Sequence, residues 1–75
     1  MELKEFIVNF SDQFDDTDPA EINESTDFKD LDEWSSLIGM SVVAMVKSKY
    51  GKIISNNDIT SCSTVEELFK LISEK

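Results

Sequence analysis

The sequence of 75 residues contains no histidine and no arginine, one cysteine (Cys62), seven lysines and sixteen acids. Without histidine there is no imidazole for acid/base catalysis, and a zinc site of the usual Cys/His kind cannot be assembled. A single cysteine excludes an internal disulfide; in a reducing compartment it reads as a small packing residue. The paired carboxylates Asp15-Asp16 and Asp32-Glu33 fall in a stretch without apolar periodicity, so they are expected on a surface loop with no cleft to shift a pKa. Asp16-Thr17-Asp18 and Asp30-Leu31-Asp32 lack the mid-loop glycine and closing glutamate of an EF-hand, and read as a solvated face that holds divalent ions loosely. An enzyme is not expected, and no metal site is assigned. The other reactive groups of interest are the hydroxyls of Ser35 and Ser36, at the head of a strongly apolar segment. Taken alone, they make an ordinary helix cap.

Charge narrows the classes further. The net charge is −9, which sets nucleic-acid binding aside because like charges would meet at every phosphate. Residues 1–34 hold twelve acids and two lysines, net −10, whereas residues 35–75 hold four acids and five lysines, net +1. A hydrophobic share of 40% suffices for a compact core. Length allows one domain, residues 1–75, with a stability of roughly 4–11 kcal/mol that crowded negative charge lowers. No apolar run approaches a membrane span, and Met1-Glu2-Leu3-Lys4-Glu5 does not read as a signal peptide. A cytoplasmic monomer is the expectation.

Apolar spacing predicts the elements that must position the serines. Leu3, Phe6, Ile7, Phe10 and Phe14 recur at three and four residues and predict a helix running to about Phe14. Asp15-Asp16-Thr17-Asp18-Pro19 ends it. From Asp15 to Ser35 no period is sustained; this is a long loop, pinned by Ile22, Phe28, Leu31 and Trp34, with a single helical turn near Phe28–Leu31. Ser36–Tyr50 reads as a helix about 22 Å long, ended by Gly51 and carrying Lys47 and Lys49 in its last turns. Ser55-Asn56-Asn57-Asp58 offers caps for a short turn around Ile59. Ser63 or Thr64 then caps a last helix through about Ile72, with Glu66 or Glu67 completing a capping box. The predicted fold is all-α, a small three-to-four-helix bundle with a long loop between its first two main helices.

The helix over Ser36–Tyr50 has more apolar faces than one core requires. Nine of its fifteen residues are apolar. Gly39, Val42, Val43, Val46 and Tyr50 share a sector assigned to the core. Leu37, Met40 and Ala44 form a second stripe beside Ser36, and Ile38 with Met45 a third patch. Burial on several sides accounts for part of the excess, and a docking surface for partners accounts for the rest. Met40 and Ala44 are expected to be partly exposed, and Val43 and Val46 buried.

The stretch Phe28-Lys29-Asp30-Leu31-Asp32-Glu33-Trp34-Ser35-Ser36-Leu37, followed by the apolar helix, resembles the acyl carrier and peptidyl carrier protein family. In that family a serine in an Asp-Ser-Leu motif opens the second helix and carries a 4′-phosphopantetheine arm. Trp34, Ser36 and Leu37 match, Tyr50-Gly51 stands where the family usually has Phe-Gly, and Ile53, Asp58, Ile59, Thr64, Val65 and Ile72 fall at family-like positions. The resemblance implies an acyl-carrier-like bundle, covalent 4′-phosphopantetheine on Ser36, and acyl or aminoacyl cargo held as thioesters. It further implies a phosphopantetheinyl transferase and biosynthetic enzymes of acyl or aminoacyl transfer as partners, in a specialised fatty acid, polyketide or peptide pathway. Independently, a helix N-terminus suits a phosphodiester, because its free N–H groups and positive dipole end favour an anion.

Two departures from the family pattern stand out. Ser35 replaces the family aspartate, a carboxylate expected to help engage the transferase and its metal; Ser35 is itself an alternative acceptor, disfavoured by the spacing to Tyr50 and by Leu37. Residues 36–50 contain two lysines and no acid, so electrostatic steering by this helix should be weak. Docking is assigned to Leu37, Met40, Ala44 and Ile38, helped by the acidic loop of Asp27, Asp30, Asp32 and Glu33. The alternative is a carrier-like interaction domain that is never modified.

Overall fold

The computed structural model describes residues 2–75 and contains four helices: α1 (Leu3–Ser11), α2 (Ser36–Tyr50), α3 (Asn56–Thr60) and α4 (Val65–Ser73). α1 packs on α2 and α4, and α3 on α2 and α4. The first connection contains two 3₁₀ turns, Pro19–Glu21 and Phe28–Asp30. Among the described residues, no helix is long and apolar enough to cross a membrane.

α1 stops at Ser11, three residues short of the predicted Phe14. The amides of Gln13 and Phe14 donate to the carbonyls of Phe10 and Ser11, so the last turn tightens before the acids begin. Those turns still return Phe14 to the interior, where it is buried. The 3₁₀ turn at Pro19–Glu21 lies within the stretch read as loop, although the sequence carries its signal. The Asp18 carboxylate accepts from the Ala20 amide and proline occupies the first position, the usual start of a helical turn.

The interior is organised by aromatic rings. All seven aromatic residues join one connected series with ring centroids 4.9–6.2 Å apart. From Phe69 on α4 it passes to Phe6, with Tyr50 alongside, and on to Phe10; Phe14 and Phe28 then connect Phe10 with Trp34. Aromatic pairs at such separations add about 0.5–1.5 kcal/mol each beyond the area they bury. Aliphatic residues of α2, α3 and α4 complete the core, including Val42, Val46, Ile59, Leu68 and Ile72, all fully buried.

The buried face of α2 differs from the predicted one. Ile38, Gly39, Val42, Met45 and Val46 are buried, whereas Val43 and Tyr50 are only half-buried against the core. A helix that is apolar nearly all round has no polar face to mark its outside, so the positions of α1 and α3 decide which side is covered. Gly51 takes the left-handed conformation at φ 66° and donates its amide to the Lys47 carbonyl. Serine and threonine caps start α3 and α4, in agreement with the sequence signals. Ser55 and Asp58 form a capping box on α3, and Thr64 with Glu67 forms one on α4. After α2, Ile54 enters the core while Ile53 is exposed.

The long connection is fastened to α4 through main chain. The amides of Val65 and Glu66 donate to the carbonyls of Thr26 and Glu24, Asp27 and Thr64 form an antiparallel bridge, and the Lys29 ammonium donates to the Thr60 carbonyl. Polar groups in this long segment are thereby satisfied without regular structure.

Gly39 offers a direct check of the packing. A Cβ built there would meet the edge of the Trp34 ring and the Asn56 Oδ1 at 3.6 Å, ordinary van der Waals separation. Gly39→Ala should therefore stabilise the domain by roughly 0.5–1 kcal/mol, the usual helix-interior gain, and raise the thermal midpoint by several degrees. A lowered midpoint in thermal or urea denaturation would show that Trp34 needs the smaller neighbour.

Candidate functional site

Three short turns lead the chain to α2: Asp30 bonds back to Asp27, Leu31 to Phe28, and Trp34 to Leu31. Trp34 is half-buried, its ring edge-on to Phe28 at a centroid distance of 4.9 Å. One residue later Ser35 becomes the N-cap of α2. Its backbone is extended at φ −156° and ψ 172°, and its Oγ accepts from the Ile38 amide at 3.4 Å. Ser36 is the first helical residue and is exposed. The two hydroxyls therefore have different tasks: that of Ser35 is bound to the helix end, whereas Ser36 Oγ makes no hydrogen bond among the described residues.

The cap satisfies only part of the helix terminus. Ile38 and Gly39 donate to Ser35, which leaves the amides of Ser36 and Leu37 without an intrahelical partner. These amides and the positive end of the helix dipole suit an anion attached at Ser36. With serine at position 35, the cap contributes no carboxylate beside it.

Glu33 fixes the other side of the approach. Its Oε2 accepts from the Asp15 amide at 2.7 Å, and its Oε1 from the amides of Asp16 and Thr17 and the Thr17 hydroxyl at 2.8–3.0 Å. This carboxylate ties the segment after α1 to the three residues before Ser36. Partial desolvation, the largest single influence, pushes its pKa up, but the hydrogen bonds from Asp15, Thr17 and Asp16 together hold it below the usual carboxylate value. Nothing in the sequence marks Glu33 as a clamp. Its partners lie 16 to 18 residues away, and the local pattern places it only in the acidic loop.

Beside Ser36 runs an exposed strip. Leu37 is 73% exposed and Met40 67%, and Ala44 is exposed as well. Ile38 does not belong to it. At 9% exposure its side chain lies in the core with Met45, because the next position round the helix turns inward. Cys62 is buried, its Sγ donating to the Asp58 carbonyl, and burial pushes its thiol pKa up, as suits a packing residue.

A protein-family model described as the phosphopantetheine attachment site matches residues 5–72. The chain belongs to that family. It is therefore a carrier domain, built to hold thioester-linked intermediates on covalently attached 4′-phosphopantetheine, and domains of this family are in general not catalytic. Its family partners are a phosphopantetheinyl transferase and biosynthetic enzymes. No curated protein and no solved structure gives a significant match. Around Ser36 the chain has an exposed hydroxyl at a helix start with an apolar strip beside it, a serine at position 35, and two lysines near the end of α2.

The Glu33 clamp carries a pH dependence of definite sign. A carboxyl whose pKa is depressed by folding adds stability above its unfolded pKa and loses it as pH falls through the folded one. Asp58, held low by the Ser55 amide and by Lys75, and Glu67, held low by the amides of Ser63 and Thr64, act in the same direction. The denaturation midpoint should fall as the solution is acidified from neutrality through the carboxylate range, and Glu33→Gln should flatten part of that fall while lowering the midpoint at neutral pH. An unchanged pH profile in the variant would remove Glu33 from the balance.

Proposed function

We propose that Ser36 is the attachment point of 4′-phosphopantetheine and that the protein carries acyl or aminoacyl intermediates in a specialised fatty acid, polyketide or peptide pathway. The observation that carries the reading is the division of labour between neighbouring serines, with Ser35 Oγ engaged in the cap and Ser36 exposed and without a partner among the described residues. When attached, the arm supplies a terminal thiol that holds cargo as a thioester. The chain's own part is positional. Ser36 offers the acceptor hydroxyl, the first amides of α2 face the phosphate with positive dipole, and Trp34 and Glu33 hold the approach in place. A base and a metal for the transfer belong to the transferase, in keeping with the absence of histidine.

Leu37, Met40 and Ala44 form the docking surface in this reading, since their exposure beside Ser36 places apolar area where an enzyme must approach. A cytoplasmic monomer fits the charge of −9, which opposes self-association. Weak steering by an acid-free α2 favours few dedicated partners over many.

Incubation with a broad-specificity transferase and coenzyme A, followed by intact mass, tests the site. The wild-type chain is expected to gain one phosphopantetheine, Ser36→Ala none, and Ser35→Ala one, at a cost in stability of about 1 kcal/mol for the lost cap. Modification that survives Ser36→Ala refutes the assignment, and failure of the wild type to be modified points to the unmodified interaction domain. Ser35→Asp restores the family carboxylate and keeps a cap of equal quality; it should raise the initial rate of transfer without moving the denaturation midpoint.

A further inference from the structure

Of the amides from Asp32 to Leu37, only that of Trp34 has a main-chain acceptor among the described residues, the Leu31 carbonyl at 3.0 Å. The path into α2 is therefore held by side chains. The Trp34 ring packs on Phe28 and Phe14. Glu33 reaches instead to residues 16 to 18 positions earlier: Oε2 takes the Asp15 amide, and Oε1 takes the amides of Asp16 and Thr17 and the Thr17 hydroxyl. A carboxylate has about four acceptor sites. These four bonds use them, so Glu33 has none left to offer a visiting enzyme. Among the described residues the cleft around it is lined by Asp16, Glu21, Asp30 and Asp32 and by no lysine. Like charges there oppose the carboxylate, and successive amides of one short segment hold it in place.

We infer that Glu33 is a positioning residue for pantetheinyl transfer, its carboxylate fixing residues 34–36 in the conformation that the transferase accepts. The inference rests on attachment at Ser36, proposed above, and gives Glu33 a task inside the chain instead of at a partner's surface. In the transfer the Ser36 oxygen bonds to the phosphorus that bears the pantetheine and the pyrophosphate bridge of coenzyme A breaks. Adenosine bisphosphate leaves, and the hydroxyl proton passes to a base of the transferase. Glu33 touches none of these atoms. With the clamp released, the entry keeps one main-chain bond and the Trp34 ring, and a smaller fraction of chains presents the hydroxyl correctly. A substrate competent for part of the time binds with its affinity reduced by that fraction. Saturating concentrations recover the complex, so the loss falls on KM and spares kcat.

Initial rates of transfer, with coenzyme A saturating and the concentration of the full chain varied, read the effect. Glu33→Ala should raise KM for the chain about three- to tenfold and change kcat by less than about twofold. In the chain alone it should move the emission of Trp34, the only tryptophan, to longer wavelength. Glu33→Gln keeps one oxygen for Asp16 and Thr17 and should fall between. Thr17→Val deletes the hydroxyl donor alone; it should raise KM about twofold by itself and add nothing to Glu33→Ala. Gly51→Ala strains the left-handed position at φ 66°, at the far end of α2, and should lower the denaturation midpoint with KM unchanged. Unchanged KM or Trp34 emission in Glu33→Ala, a Thr17→Val effect that is nil or fully additive, or an equal rise in KM for Gly51→Ala would overturn the proposal. A wild type that gains no mass removes the attachment at Ser36 and the proposal with it, whereas a normal gain with unchanged KM in Glu33→Ala removes the proposal alone.

Discussion

Ring-to-ring packing is the constraint on which the rest of this small domain depends. With no disulfide available to the single cysteine, the chain relies on seven aromatic residues in mutual contact, and their order in space is also an order of function. The series starts on α4, crosses α1 and ends at Trp34, two residues before the exposed serine. Phe28 is fully buried between Phe10 and Trp34. A loop that would otherwise wander is thus held by side chains whose partners lie in the deepest part of the core. The position of Ser36 follows from the hydrophobic effect before any polar contact acts on it.

Polar contacts then refine what the rings fix coarsely. Ser35 supplies the cap, Glu33 gathers three amides and a hydroxyl from the stretch that follows α1, and main-chain bonds to α4 hold the far side of the loop. Each is modest alone, since an exposed hydrogen bond nets about 1 kcal/mol. They act on a segment already close to its final place, so little entropy remains to oppose them. The local electrostatic result is a helix entrance with a neutral cap, its nearest carboxylate engaged by backbone amides.

Much of this is legible in the sequence where one strong local signal decides the outcome. The bounds of α2 follow from Ser35 and Gly51, the cap of α4 from Thr64 and Glu67, and the single turn at Phe28 from an isolated aromatic in a polar stretch. The candidate serine is legible for the same reason. Less accessible is whatever depends on elements distant in sequence. Periodicity carries α1 on to Phe14 because a buried phenylalanine fits the helical period whether or not the backbone is still helical. The inward turn of Ile38 and the half-exposure of Val43 are hidden because α2 lacks a polar side, and only its neighbours decide which apolar patch is covered. The Glu33 clamp joins residues whose proximity no periodicity encodes.

The fastening of the first connection to α4 has an evolutionary consequence. The amides of Val65 and Glu66 meet the carbonyls of Thr26 and Glu24, atoms that every residue type supplies except for proline's missing N–H. The side chains of that stretch are consequently free to drift under selection while its path stays the same. A lineage can rewrite the exposed side chains of this connection without having to reinvent the scaffold that leads into α2.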